Sequence, residues 1–231
     1  MRQIINGASA EMNPNQQEVA TDILFDQFSR YKSCAEILDS VCDDSTTVLD
    51  VGCGEIPVLH RFLKRSKITS VDPLLAKNMV GPSGHQTFIA DTIDSVELEG
   101  KQFDFVVCVD TLEHIPGDER SNFIDRLNQL AKRGILIAFP ASDDGDAVET
   151  DRWVNEVFRL SYGRNHEWLK EHFQYGLPSL KDTLSQLDAA GWKTQVSQNG
   201  YTPWLREMLS FTLCSLEMAE LNPFIIELSQ Y

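Results

Sequence analysis

The chain has 231 residues, 42% of them hydrophobic, and 20 Lys and Arg stand against 35 Asp and Glu for a formal net charge of −15. This length suffices for one buried core and is short for two, so we expect a single domain over residues 1–231. So acidic a surface repels phosphate backbones and anionic lipid, which disfavours nucleic acid and membranes as partners.

The five cysteines and the absence of long apolar runs bear on compartment and metal content. No two cysteines form a CxxC pair, so we predict neither a disulfide framework nor a metal site. The chain has no apolar run long enough to span a bilayer and no visible secretory signal, so we expect a cytoplasmic protein.

The first predicted elements are N-terminal helices over residues 17–41, where apolar side chains recur at helical spacing. Short apolar runs then alternate with helical stretches over residues 46–140. Runs such as VVCV and ILIAF are typical of strands buried on both faces, and the β-α-β order predicts a doubly wound α/β sheet. The predicted strands are Thr46–Val51, Ile68–Val71, Thr87–Ala90, Phe103–Val109 and Gly134–Phe139, with helices at Pro57–Lys64 and Arg120–Lys132.

Residues 141–231 are predicted to form a helical lid and the C-terminal half of the same domain. The acidic stretch Ser142–Asp151 is interpreted as a loop, Trp192–Ser197 as a sixth strand, and a seventh strand is either late, at Phe224–Leu228, or missing. Further helices are predicted at Arg152–Leu160, Asn165–Phe173, Pro178–Ala190, which Ser179 can cap and Gly191 can end, and Thr202–Leu221.

A glycine-rich turn follows the first strand, in the sequence VLDVGCGEIP of residues 48–57. Gly52 and Gly54 permit a tight turn and a close approach of a ligand to the backbone, and the next helix offers free N–H groups to an anion. A dinucleotide fingerprint has Gly or Ala where this chain has Pro57, which disfavours an NAD-dependent oxidoreductase.

Acidic residues end the next two strands along the same predicted sheet edge, where ligands bind in this class of fold. Asp72 could accept both hydroxyls of a ribose, and its alternative role is that of a turn residue before Pro73. Asp91 could accept an adenine amino group, and its alternative role is to cap a short helix beginning at Thr92.

The ordered motifs VLDVGCG, SVDP, IADTID and FDFVVCVDTLEHIP resemble the class I S-adenosylmethionine-dependent methyltransferases. The resemblance covers residues 30–140 and is strongest to a small-molecule, type 11-like branch with an LEH motif after the fourth strand. It implies S-adenosylmethionine as cofactor and a Rossmann-like sheet of seven strands in the order 3-2-1-4-5-7-6. It also implies that Asp50, Gly52 and Gly54 approach the methionine moiety, Asp72 the ribose and Asp91 the adenine.

The same resemblance extends the set of candidate cofactor contacts. An aromatic residue of the preceding helix, here Tyr31, closes over the methionine moiety in related enzymes, whereas simple helix packing is its alternative role. Asp50 could instead accept hydrogen bonds from loop amides. The remaining candidates are Cys53, Pro73, Thr92, Val109 and Asp110.

The candidate catalytic and acceptor-binding residues follow the fourth and fifth strands. His114 could take a proton from a hydroxyl or amine acceptor, or could simply stabilise its own loop. Within Gly163–Pro178, His166, Trp168 and His172 could line an acceptor pocket, or the segment could be a helix packed on the sheet. Its zinc-protease-like spacing fails, because position 170 is a lysine.

The function predicted from the sequence is S-adenosylmethionine-dependent methyl transfer to O, N or C of a small-molecule acceptor. A sugar or glycan-related metabolite is one candidate acceptor. The alternatives are a non-catalytic S-adenosylmethionine-binding module and, less favoured, an NAD-dependent oxidoreductase. The sequence predicts neither the acceptor nor the oligomeric state.

Overall fold

The structure, a computed structural model, describes residues 25–77 and 85–216. Within these ranges, five parallel strands form one sheet in the order β3-β2-β1-β4-β5. The direction of strand addition reverses between β1 and β4, which creates the crevice where ligands bind in doubly wound sheets. The strands are β1 Thr47–Val51, β2 Lys67–Val71, β3 Gln86–Ile89, β4 Phe103–Val109 and β5 Ala131–Ala138.

Among the described residues, α-helices lie between β1 and β2 and between β4 and β5, and others precede β1 and follow β5. A 3₁₀ turn after β4, Leu112–His114, is called the LEH turn here, and a second 3₁₀ turn spans Val96–Leu98. The α-helices are α1 Phe25–Asp39, α2 Leu59–Phe62, α3 Arg120–Leu130, α4 Asp146–Tyr162, α5 Glu167–Tyr175, α6 Leu180–Ala189 and α7 Thr202–Leu216.

The sheet separates two apolar cores, because successive side chains of a strand point to opposite faces. Val48 of β1 packs with α1 and α2 on one face, in what is called the first core here. Its neighbour Leu49 packs on the other face, in the second core, with residues of α3 such as Leu127. Val48 and Leu49 are both fully buried, as expected for a central strand.

A third apolar cluster lies among the helices that follow β5. It consists of Val154 and Phe158 of α4, Leu169 of α5 and Leu213 of α7. Phe158 is fully buried there. This cluster gives the predicted lid region a small core of its own.

The structure confirms the doubly wound α/β class and the order of the first five strands. It also confirms the predicted helix at residues 178–190. The Ser179 hydroxyl accepts a hydrogen bond from the Asp182 N–H at 3.1 Å and so caps α6. Gly191, at φ 91°, follows its end.

The predicted sixth strand at Trp192–Ser197 is wrong, since residues 192–199 form neither a strand nor a helix. The Trp192 ring packs on the second core, and its Nε1 donates to Asn128 Oδ1 at 3.0 Å. The other apolar residue of this stretch, Val196, is 54% exposed. One anchored side chain fixes the start of the segment but gives it no apolar face to place against β5.

Three element boundaries also differ from expectation. Ser142–Asp151 is not all loop, because Gly145 at φ 81° allows α4 to begin at Asp146. The helix expected over Pro57–Lys64 has four residues, and the one after β4 stops before Ala131, where β5 begins. Residues 17–24 and the late strand expected at Phe224–Leu228 lie outside the described residues, among which no helix is both long and apolar enough to cross a bilayer.

Candidate active site

The glycine loop after β1 is wedged against the turn that follows β4. Gly52 and Gly54 both adopt left-handed backbone, at φ 72° and 71°. A Cβ added to Gly52 would lie 2.1 Å from Oγ1 of Thr111, whereas one added to Gly54 would meet nothing within 4 Å. The Gly52 N–H donates to the carbonyl of Val71 at 3.0 Å. The loop therefore joins the carboxyl ends of β1, β2 and β4.

Asp72 holds this loop from the end of β2. One carboxylate oxygen accepts from the Gly54 N–H at 2.8 Å and the other from the Leu74 N–H at 2.8 Å. The turn role considered for Asp72 is therefore confirmed. Each oxygen keeps one further lone pair, so the carboxylate can still accept from two hydroxyls of a ligand. Pro73 is exposed beside it.

Asp50 is a fully buried carboxyl group at the same edge of the sheet. Neither of its oxygens has a hydrogen-bond partner among the described residues, so the alternative that it holds loop amides is wrong. Burial, and next the charge of Asp72, raises the pKa of Asp50 to about 7. The nearby Ser70 hydroxyl acts to lower this pKa, but it does not reach hydrogen-bonding geometry with the Asp50 oxygens. Such a group needs a partner that this part of the chain does not supply.

Tyr31 and Cys53 border this carboxyl group. Tyr31 reaches the site from α1 and is 2% exposed, within the first core. Burial, and then the charge of Asp50, raises its pKa well above the ordinary tyrosine value. Burial likewise raises the pKa of the Cys53 thiol. Both side chains are therefore neutral walls of the site at physiological pH.

Asp91 and Thr92 lie just beyond β3 and are exposed. One Asp91 oxygen accepts from the Thr92 N–H at 2.8 Å. The alternative that Asp91 caps a helix is wrong, because the 3₁₀ turn here begins at Val96 and is capped by Ser95. The Asp91 carboxylate thus remains accessible at the sheet edge.

Asp110 turns the chain out of β4. It adopts φ 51°, which is unusual for a residue with a side chain. Its N–H donates to the Ala138 carbonyl at 2.9 Å, and its carboxylate pairs with Arg30 Nε of α1 at 2.5 Å. The preceding Val109 is buried. These contacts fix the direction in which the LEH turn leaves the sheet.

Two histidines meet where the LEH turn contacts α5. The ring centroids of His114 and His172 are 4.9 Å apart. His114 Nδ1 lies 2.7 Å from Glu171 Oε2, and His172 Nδ1 lies 2.8 Å from Asp151 Oδ2. Burial lowers the pKa of His114, while its bond to Glu171 works in the opposite direction. Both rings therefore have one nitrogen engaged by a carboxylate.

Glu113 is buried beside this histidine pair. It is 2% exposed, and its Oε2 has no hydrogen-bond partner among the described residues. Burial and then the charge of Asp110 raise the pKa of Glu113 to about 8, although Arg30 acts against this. One carboxylate oxygen of Glu113 and one ring nitrogen each of His114 and His172 lie within 4.8 Å of one another.

Arg120 fastens the LEH turn to the end of α5. Its Nε donates to the carbonyls of Leu112 at 3.1 Å and Ile115 at 3.0 Å. Its Nη2 donates to the carbonyl of Gly176, just after α5. A single guanidinium group thereby fixes the two segments that carry the histidines.

Of the other two predicted acceptor residues, His166 lies against α4 and Trp168 lies against His166. The His166 ring is 4.8 Å from that of Phe158 and 5.1 Å from that of Trp168, between ring centroids. Trp168 is 55% exposed. The structure therefore brings His172 to His114, whereas His166 contacts Phe158 of the third cluster and Trp168 contacts His166.

Sequence reasoning missed four side chains of this site: Glu113, Asp151, Glu171 and Arg120. Asp151 carried a usable signal, because Asp151, Val154 and Phe158 follow helical spacing and are all buried in α4. Glu113 lies within the LEH motif that the sequence analysis names, but its burial is visible only in the structure.

A five-strand core in the order 3-2-1-4-5, with its ligand-binding edge beside β1, is common to Rossmann-like folds, including the class I methyltransferase sheet that the sequence resemblance predicts. A family profile described as a methyltransferase domain matches residues 25–204. The chain belongs to this methyltransferase family. It is a transferase enzyme of class I, which uses S-adenosylmethionine.

Solved structures support the same fold. The cyclopropane synthase MmaA2 of Mycobacterium tuberculosis is 13% identical, with 95% of this chain and 89% of that one covered and a TM-score of 0.53. The mycolic acid cyclopropane synthase CmaA1, complexed with SAH and CTAB, is 15% identical, with 88% of this chain and 74% of that one covered and a TM-score of 0.58. The magnesium protoporphyrin IX methyltransferase ChlM of Synechocystis PCC 6803, with bound SAH, is 17% identical, with 81% of this chain and 88% of that one covered and a TM-score of 0.51. No curated protein is significantly similar in sequence.

Proposed function

We propose that this chain transfers the methyl group of S-adenosylmethionine to a small-molecule acceptor, as a single domain working in the cytoplasm. The observation that carries the proposal is Asp50, a buried carboxyl group without a partner beside a left-handed glycine loop. The ammonium group of the cofactor's methionine moiety is a suitable cation for it. Two relatives of the same fold, CmaA1 and ChlM, have been solved with SAH, which supports this cofactor.

The other strand ends fit the remaining parts of the cofactor. Asp72 keeps two free acceptor positions, which suit the two hydroxyls of a ribose. Asp91 is accessible beyond β3 and suits the amino group of adenine. Gly52 and Gly54 carry no side chain that would block the backbone approach of the methionine moiety.

The acceptor would lie beside the contact between the LEH turn and α5. The reaction breaks the bond between the methyl carbon and sulfur, leaves the electron pair on sulfur and forms a bond from the methyl carbon to the acceptor. Alignment of the two reactants supplies most of the rate in such a transfer. His114, with Nδ1 engaged by Glu171, presents Nε2 as a candidate proton acceptor for a hydroxyl or amine.

The net charge of −15 favours a neutral or cationic small molecule over nucleic acid as the acceptor. Sugars and glycan-related metabolites belong to this neutral group, and O, N or C is the nucleophilic atom. His172 and the exposed Trp168 are the proposed acceptor contacts, with His166 supporting Trp168 from behind.

Calorimetry with S-adenosylhomocysteine and NAD tests the proposal. We expect the first ligand to bind and the second not to bind. Asp72→Ala should weaken S-adenosylhomocysteine binding at least tenfold, because two charge-assisted hydrogen bonds of about 1.5–3 kcal/mol each are lost. The control is Asp44→Ala, which removes an exposed carboxylate just before β1.

Tight NAD binding without S-adenosylhomocysteine binding would contradict the proposed function. Binding of S-adenosylhomocysteine without methyl transfer to any panel of hydroxyl, amine or enol acceptors would instead favour a non-catalytic cofactor-binding module. An unchanged affinity in Asp72→Ala would limit Asp72 to its turn role.

A further inference from the structure

The histidine pair beside the LEH turn has the donor set of a metal site. Imidazole nitrogens and a carboxylate oxygen suit Zn²⁺ and similar divalent transition metals. Glu113, His114 and His172 each place one such atom within 4.8 Å of the other two. In a tetrahedral site with metal–ligand bonds of about 2.0–2.1 Å, the ligand atoms lie about 3.4 Å apart. Side-chain rotations that move these atoms by about 1 Å would bring them to that spacing.

A second observation points to a ligand at this place. Oε2 of Glu113 has no hydrogen-bond partner among the described residues although the residue is 2% exposed. A buried carboxylate oxygen left without a partner is costly. A cation bound at the histidine pair would supply the missing partner, whereas packing alone does not.

The surroundings of the two rings match those of metal-binding histidines. Such a histidine donates its second ring N–H to a carboxylate, which fixes the tautomer and orients the ring. Here Glu171 accepts from Nδ1 of His114 and Asp151 from Nδ1 of His172, at 2.7 and 2.8 Å. Nε2 is then the nitrogen that each ring offers to a metal ion.

The local charge also favours a dication. The carboxylates of Glu171 and Asp151 act on His114, the charge of Asp110 acts on Glu113, and the acidic chain adds to the negative potential. The nearest cations are committed elsewhere. Arg30 pairs with Asp110, and Arg120 donates to backbone carbonyls.

We propose that Glu113, His114 and His172 bind one divalent transition-metal ion, with Asp151 and Glu171 as its orienting carboxylates. Three protein ligands leave a coordination position open, as in catalytic rather than structural zinc sites. The LEH turn follows β4 and its neighbour Thr111 contacts the glycine loop, so the proposed metal site lies at the cofactor edge of the sheet.

The proposed metal site indicates that the methyl acceptor is a hydroxyl compound, and this inference rests on the methyltransferase function proposed above. A metal ion lowers the pKa of a bound hydroxyl as it does that of bound water. The acceptor hydroxyl loses its proton to solvent, its oxygen attacks the methyl carbon, and the electron pair of the breaking C–S bond stays on sulfur. In this state His114 serves as a ligand and not as the proton acceptor, and the reaction is an O-methylation.

The test is a calorimetric titration of the metal-free protein with Zn²⁺. The zinc that remains bound after gel filtration is then counted per chain. We expect one ion per chain. Glu113→Gln and His172→Asn should each weaken binding at least 100-fold, and Asp151→Asn by 10–100-fold as for other orienting partners. The matched control is His85→Asn, an exposed histidine just before β3, which should change nothing.

Each variant is also titrated with S-adenosylhomocysteine and melted to check folding. Glu113→Gln keeps the shape of the side chain and removes only its carboxylate ligand, so a loss of zinc binding by this folded variant cannot be assigned to unfolding. Absence of stoichiometric zinc binding, or equal binding by all variants, would overturn the metal site while leaving cofactor binding and the proposed function intact. Zinc binding without S-adenosylhomocysteine binding would overturn the function and not the site.

Discussion

At the scale of single residues, Asp50 links the electrostatics of the fold to cofactor binding. With its pKa raised to about 7, the group is largely protonated below neutral pH in the ligand-free protein. A carboxyl group whose pKa is raised by folding stabilises the native state at acid pH and loses that contribution as the pH rises through the raised value. An arriving ammonium group would favour the charged form and lower the pKa again.

We therefore predict that S-adenosylhomocysteine binding near pH 6.5 releases a fraction of a proton. Calorimetry in buffers of different ionisation enthalpy measures this release directly. Asp50→Asn should abolish the release, weaken binding and raise the melting temperature at pH 8 but not at pH 5. Equal proton release by the wild type and Asp50→Asn would show that another group titrates.

At the scale of elements, the glycine loop depends on two residues with similar backbone and different surroundings. Both Gly52 and Gly54 lie in the left-handed region, where a residue with a side chain costs about 1–2 kcal/mol. A Cβ at Gly52 would also overlap Thr111, whereas a Cβ at Gly54 would be unobstructed. The loop and the turn after β4 thus constrain each other at one of the two positions.

Gly52→Ala should therefore lose cofactor binding and much more stability than the matched variant Gly54→Ala. Melting curves and S-adenosylhomocysteine titrations of both variants check this. Adding Thr111→Ala to Gly52→Ala should recover part of the loss, because it removes the two closest overlapping atoms. Equal effects of the two alanine variants would mean that backbone strain alone matters.

The exposure of Trp168 predicts a functional rather than a structural role for this side chain of α5. Because it is 55% exposed, Trp168→Ala should cost far less than the about 3–5 kcal/mol of a buried tryptophan. We expect a higher Michaelis constant for the acceptor and an unchanged affinity for S-adenosylhomocysteine. Phe173→Ala, 43% exposed on the same helix, is the control, and a collapse of stability in Trp168→Ala would restore the packing interpretation.

The sequence predicted elements well where a local pattern decided the structure. The strands β1 and β4 are largely apolar and are followed by Gly52 and Asp110, and Ser179 and Gly191 bracket α6. The prediction failed where distant contacts decided. Trp192 is held by a hydrogen bond to Asn128 and by packing on the second core, and not by strand pairing. Asp151 lies on a helix whose start depends on the left-handed Gly145.

At the scale of the whole molecule, two cores belong to the sheet and a third belongs to the helices after β5. This separation predicts two regions of different stability, because cooperative units follow contiguous apolar packing. The candidate site lies where the two regions meet, since the LEH turn follows β4 and contacts α5.

Phe158→Ala should cost about 3–5 kcal/mol in the third cluster, because the ring is fully buried. Hydrogen exchange should then accelerate in α4, α5 and α7 while the sheet and S-adenosylhomocysteine affinity change little. Leu160→Ala, 73% exposed on the same helix, should change stability by no more than about 0.5 kcal/mol. Uniform acceleration across the sheet would show that the cores unfold as one unit.

The contact between Gly52 and Thr111 also has a consequence for biosynthesis. The two residues are 59 positions apart, and β1 lies between β2 and β4 in the sheet although β4 is made last of the three. A nascent chain that has emerged only as far as β3 has the glycine loop but nothing to hold it from the β4 side. Translation must therefore carry the chain past Thr111 before the growing protein can retain its cofactor, and ribosome-bound fragments of increasing length should acquire S-adenosylhomocysteine binding beyond that point and not before it.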